Sequence, residues 1–197
     1  MKSSRLLKTT AVVGATALIL GAFVAGPADA KKKKKKPKPP PVCAPYTPAE
    51  GGAGAPITLV TDAATVDAPV TATVAAEAGL GVGGLAEQGI AYAYTNVQVD
   101  SALPSTALNI RLEMTEFEDY DLVVQNPDGS EAASAQGFNP EPAVFNDNTH
   151  GGHTEVGAEV IDALPTSDCQ GYTLVIKTAS GIGGDLTVKY WLGEAAV

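Results

Sequence analysis

Both histidines of the chain lie in His150-Gly-Gly-His153. The two glycines would let a pair of imidazoles reach one transition-metal ion, with Asp147 or Glu155 as a third ligand. The same spacing suits an open connection between strands, and residues 137–152 are rich in Asn, Pro and Gly as such a connection would be. A second group is acidic: Glu116, Glu118, Asp119 and Asp121 follow Glu113 closely, and Asp128 stands across a turn. Carboxylate oxygens converging from a strand and its loop suit calcium, a hard cation. Along a strand edge the same charges would be solvated and would oppose self-pairing. The segment lacks the ligand spacing of an EF-hand loop, so calcium, the one cofactor expected, rests on closeness in sequence.

No constellation for covalent or acid–base catalysis stands out, and no catalytic residue is assigned. The chain has no Gly-x-Ser-x-Gly around a nucleophile, no His-Glu-x-x-His and no glycine-rich phosphate loop. Carboxylates are plentiful, but a glycosidase pair is defined by its separation across a bound sugar, which spacing along a chain does not fix. Trp191, the only tryptophan, is the remaining chemical handle, either packed at an edge or offered to a ligand on an open sheet face.

Strands must position these residues. Runs at 57–61, 70–75, 90–99, 108–114, 120–125, 130–135, 156–161, 172–177 and 186–192 are separated by Gly, Pro, Asp, Asn and Ser clusters. About eight or nine short strands predict an all-β fold, a jelly-roll-like antiparallel β-sandwich over residues 54–197. Leu108, Ile110, Leu112 and Met114 form one inward row, Tyr172, Leu174 and Ile176 another, and Leu186, Val188, Tyr190 and Leu192 a third. Thr187, Lys189 and Trp191 then face outward. Residues 63–86 are rich in Ala and Thr, but Pro69 and four glycines break helical continuity, leaving only a short helical turn over 84–88. In Asn126-Pro127-Asp128-Gly129, Pro127 presets one turn dihedral and Gly129 accepts a left-handed one.

The start of the chain belongs to export. Lys2, Arg5 and Lys8 precede an apolar core from Ala11 to Ala25, and Ala28-Asp-Ala30 supplies small residues for cleavage, so residues 1–30 read as a signal peptide. Removal of that core leaves no stable membrane span, and the expected location is secreted or associated with the cell surface. Cys43 and Cys169, the only cysteines, are expected to pair after export and to tie the region before the domain to the loop preceding the strand near Tyr172.

Residues 31–53 begin as a basic arm: Lys31, Lys32, Lys33, Lys34, Lys35 and Lys36, then Lys38 among prolines. Such a composition favours an extended chain. Beyond Tyr46 only Arg111, Lys177 and Lys189 oppose 21 of the 22 acidic residues, a formal charge of −18 within a chain whose total is −9. The arm suggests contact with an anionic envelope polymer, or with the acidic domain itself. Specific nucleic-acid binding is not expected, because phosphate contacts require cations spread over a footprint.

Asp119-Tyr-Asp-Leu-Val-Val, the turn 126–129, the strand 130–135 and Gly171-Tyr-Thr-Leu-Val-Ile resemble the bacterial pre-peptidase C-terminal domain over about residues 90–192. Asp119, Asp121 and Leu122 match its acidic strand before a Pro-x-Gly turn, and Gly171 and Tyr172 match its returning strand with the intervening residue missing. The resemblance implies a secreted, noncatalytic accessory module of jelly-roll type that adheres to an envelope polymer or an extracellular protein. An independent secreted hydrolase and a calcium-stabilised structural domain are the competing readings.

Overall fold

The computed structural model describes residues 43–80, 90–100, 106–115, 118–138 and 148–194. Residues 1–30, expected to be a signal peptide, the lysines of the arm, Glu116, Asp147 and the turn expected over 84–88 lie outside the described residues. Among the described residues there are eleven strands: β1 (Ile57–Val60), β2 (Val70–Ala76), β3 (Gly79–Leu80), β4 (Ala91–Val99), β5 (Thr106–Glu113), β6 (Asp119–Gln125), β7 (Glu131–Ala135), β8 (Gly152–Glu155), β9 (Ala158–Pro165), β10 (Gly171–Gly181) and β11 (Gly184–Glu194). They form two sheets, ordered β1-β4-β10-β6-β7 and β2-β11-β5-β9-β8, with β3 pairing β10 beside the first.

The connectivity is a jelly roll. β2 pairs β11, β4 pairs β10, β5 pairs β9 and β6 pairs β7, all antiparallel, so the chain behaves as one long hairpin wrapped around a core. β1 and β8 extend the two sheets at opposite flanks. β1 lies parallel to β4, beside an otherwise antiparallel set of pairings.

Alternation explains the core. Leu108, Ile110, Leu112, Tyr172, Leu174, Ile176, Leu186, Val188, Tyr190 and Leu192 are all buried between the sheets, as the three inward rows require, with Met114 partly buried at the edge of the cluster. Tyr120, Leu122 and Val124 join them from β6. The turn after β6 also forms as its residues dictate. Gly129 takes a φ of 82° and donates its N–H to the Asn126 carbonyl at 2.9 Å, while Asp128 accepts from both the backbone N–H and the hydroxyl of Ser130.

Two departures concern β8 and β9. The strand expected from Val156 begins at Ala158, because Val156 and Gly157 make the tight turn of a β8–β9 hairpin and Val156 is exposed. β8 itself occupies the end of what reads as an open loop. Its backbone pairs with β9 and compensates for its weak strand composition, Gly-His-Thr-Glu.

Residues 43–56 pack on the outer face of the first sheet as a strap. Cys43 is disulfide-bonded to Cys169 in the β9–β10 connection, with the Cα atoms 5.2 Å apart. Asn96, wholly buried, donates its amide to the carbonyls of Gly52 and Ala55 and accepts from the Thr173 hydroxyl, which in turn accepts from the Ala49 N–H. The Tyr46 ring closes over Gly171, where a Cβ would collide with it. The outward polar side chains Asn96, Gln98 and Thr173 are thus converted into a buried, hydrogen-bonded layer.

Candidate functional site

Among the described residues the outer face of the second sheet is open, and the pairing registers place its chemistry. Thr71, Lys189, Arg111, Val160 and His153 are successive partners across β2, β11, β5, β9 and β8. Their side chains therefore form one row perpendicular to the strands. Thr187, Glu113, Ala158 and Glu155 form the neighbouring row. Around the charged part of these rows lies a shallow depression of about 560 Å³. Trp191 stands at one side, and Val66, Asp67 and Pro69 from the connection leading into β2 complete the rim.

The charges in the depression alternate and touch. The Lys189 ammonium donates to Glu113 at 2.6 Å, the Arg111 guanidinium lies 3.6 Å from the same carboxylate and donates to Glu155 at 2.6 Å. His153 continues the chain, with Nε2 3.2 Å from Glu155 and Nδ1 3.4 Å from Asp162. The hydrogen bond from Arg111, followed by that from His153, holds the Glu155 carboxyl below the ordinary carboxylate range. Pairs this exposed contribute at most about 1 kcal/mol each. Their effect is to hold long side chains in fixed positions and to match both cations of the depression with carboxylates.

The side chains lining the depression among the described residues are charged, apolar or aromatic, and Thr71 and Thr187 stand next to them in the same rows. Both ring nitrogens of His153 face carboxylates, and Glu155, held ionised by Arg111, is poorly suited to be a general acid. An open hollow with one aromatic side wall and fixed polar groups is suited to hold a ligand by stacking and hydrogen bonding.

The other sequence-level candidates fall elsewhere. His150 is exposed on the turn before β8, in a left-handed conformation with φ of 44°, whereas His153 projects from the strand into the charged row. Glu155, considered as a third metal ligand, is instead shared by Arg111 and His153. In the acidic group, Glu118 receives hydrogen bonds from Thr115 and Tyr120, and Asp121 is paired with Lys177 at 2.8 Å on the outer face of the first sheet. Asp128 caps its own turn at the opposite end of β6 from Asp119. A seven-residue strand separates these ends by roughly 20 Å, so Glu118, Asp119, Asp121 and Asp128 do not converge. Among the described residues no group of three His, Cys, Asp or Glu is placed to hold a metal ion.

Alternation on β11 places Lys189 and Trp191 on one outward face, and the same alternation on β5 leaves Arg111 and Glu113 outward. Alternation alone does not join the two rows or add Asp162, Val66 and Asp67. The joining signal is the β5–β11 and β5–β9–β8 registers, which bring together residues far apart in the chain. No protein-family model, curated protein or solved structure matches the chain.

Proposed function

We propose that the protein is an exported, noncatalytic binding module whose Trp191 depression holds a neutral, hydroxyl-rich stretch of a cell-envelope polymer, while the lysine arm supplies attraction to the polymer's anionic groups. The observation that carries this reading is Trp191 on an open sheet face beside Lys189, Glu113, Arg111 and Glu155, whose charges are already matched. An aromatic face next to fixed hydrogen-bonding groups suits sugar rings better than it suits a highly charged ligand.

Charge divides the labour. Arg111, Lys177 and Lys189, the only cations beyond Tyr46, are each paired with a carboxylate, so the folded body offers little to an anionic polymer. Lys31–Lys36 and Lys38 carry concentrated positive charge on a segment whose composition holds no fixed geometry, giving attraction without selectivity. The disulfide fits an oxidising, extracellular-type compartment. The resemblance to the pre-peptidase C-terminal domain supports the same class of role.

Co-sedimentation with isolated insoluble envelope polymer tests the division. The chain beginning at Lys31 should bind with an affinity that falls as salt rises, because exposed charges are screened over about 8 Å at physiological ionic strength. A chain beginning at Pro39 should bind more weakly and lose most of that salt dependence. Trp191→Ala should reduce binding about tenfold or more at every salt concentration, the equivalent of about 1.4 kcal/mol. Equal binding by Trp191→Ala and the unaltered chain would refute the site.

A further inference from the structure

One flank of the sandwich ends in an unprotected edge. β2 pairs β11 on one side, and among the described residues no strand pairs with its other side. It is seven residues long, Val-Thr-Ala-Thr-Val-Ala-Ala, with no charged residue, no proline and an unbroken register against β11. Soluble β-proteins usually blunt such an edge with lysine, proline, a bulge or a very short strand. The edges on the opposite flank are guarded: β8 carries His153 and Glu155, and β7 is bridged to Thr149 through Ser134.

The first five residues of β2 are their own mirror about Ala72. Val70-Thr71-Ala72-Thr73-Val74 reads identically in both directions, and the symmetry stops at the next pair, Pro69 and Ala75. An antiparallel pair formed by two copies of one strand has this symmetry, because a two-fold axis at residue 72 sets 70 against 74, 71 against 73, and 72 against itself. In that register, Val70 and Val74 of the two copies meet on the core side. The exposed Thr71 and Thr73 meet on the outer side, a favoured cross-strand combination. β1, the edge of the other sheet, lies on the same flank and leaves Ile57 39% and Leu59 54% exposed.

We infer that two copies of the chain join through antiparallel β2–β2 pairing centred on Ala72, making one continuous ten-stranded sheet with five strands from each copy. The depressions of the two copies then lie on the same face of that sheet, related by the two-fold axis. A repetitive polymer spanning both would be held bivalently, which raises avidity without any new contact.

Sedimentation velocity on the chain beginning at Lys31, across a concentration series at low to physiological salt, where charges facing each other across the axis still act, should show a monomer–dimer equilibrium. Two variants then read the register. Thr71→Lys with Thr73→Lys sets lysine against lysine twice across the axis and should raise the dimer dissociation constant about tenfold or more. Thr71→Lys with Thr73→Glu sets each lysine against a glutamate of the other copy and should keep the dimer. Both positions are exposed, so matched melting curves for the two variants under dilute, monomeric conditions would show that the fold is retained. A native chain that stays monomeric throughout would overturn the inference. So would a dimer that survives two lysines, which would lie on another surface, or one lost equally in both variants.

Discussion

Glu159 is the side chain whose setting departs furthest from its chemistry. It points inward from β9 and is fully buried, with one carboxylate oxygen accepting from the Thr154 hydroxyl at 2.8 Å and the other without a hydrogen-bond partner among the described residues. Burial is the main cause, with a smaller contribution from Asp121 and Asp119, that pushes its pKa up to about 8 from an ordinary 4.5. The folded state therefore holds a proton that the unfolded chain releases. Its contribution is intact below about pH 4.5 and is lost progressively up to about pH 8, at no more than about 1.4 kcal/mol per pH unit. Glu155 and Asp128, whose pKa values are lowered, act in the opposite sense and lose their contributions as pH falls. Urea denaturation of Glu159→Gln should separate the two effects: its stability should change less between pH 5 and pH 8 than that of the unaltered chain. Parallel pH profiles for the two proteins would show that Glu159 is ionised in the fold at neutral pH.

The strap and the β8–β9 hairpin show what can and cannot be read from local sequence. Alternation on β5, β10 and β11 gave the inward rows directly, since period-two patterning is a local property. The paired cysteines announced a tie between the region before β1 and the β9–β10 connection. That residues 43–56 would cover Asn96 and Thr173 was not legible, because a strand with a polar outward row looks the same whether solvent or backbone satisfies it. β8 was hidden for a related reason: its pairing with β9 overrides composition. Asn96→Ala should cost about 2–3 kcal/mol, because the Gly52 and Ala55 carbonyls and the Thr173 hydroxyl all lose a buried partner. The intact disulfide should still tether the strap, so chemical denaturation would shift while the fold persists. A loss under about 0.5 kcal/mol, within the range of an ordinary surface substitution, would mean that the strap contributes little.

Among the described residues, nested pairing of β2 with β11, β4 with β10, β5 with β9 and β6 with β7 leaves one sheet face partly covered by the strap and the other open. The open face carries the charged row and Trp191, and its flank carries the self-complementary edge. The sequence pointed to the jelly roll through strand number and through a family resemblance, but not to the row, which exists only after five strands have aligned. The candidate calcium ligands illustrate the reverse: Asp128, close to Asp119 and Asp121 in sequence, is held beyond the far end of the strand that carries them.

Because Trp191 is the only tryptophan, its fluorescence reports on the proposed site without any label. Soluble fragments of the envelope polymer should be titrated into a chain beginning at Pro39, with binding followed independently by calorimetry. The expected result is a saturable change in tryptophan emission that follows the calorimetric isotherm, since a sugar ring stacked on the indole alters its solvation. Calorimetric binding with unchanged emission would place recognition away from the depression and contradict the account.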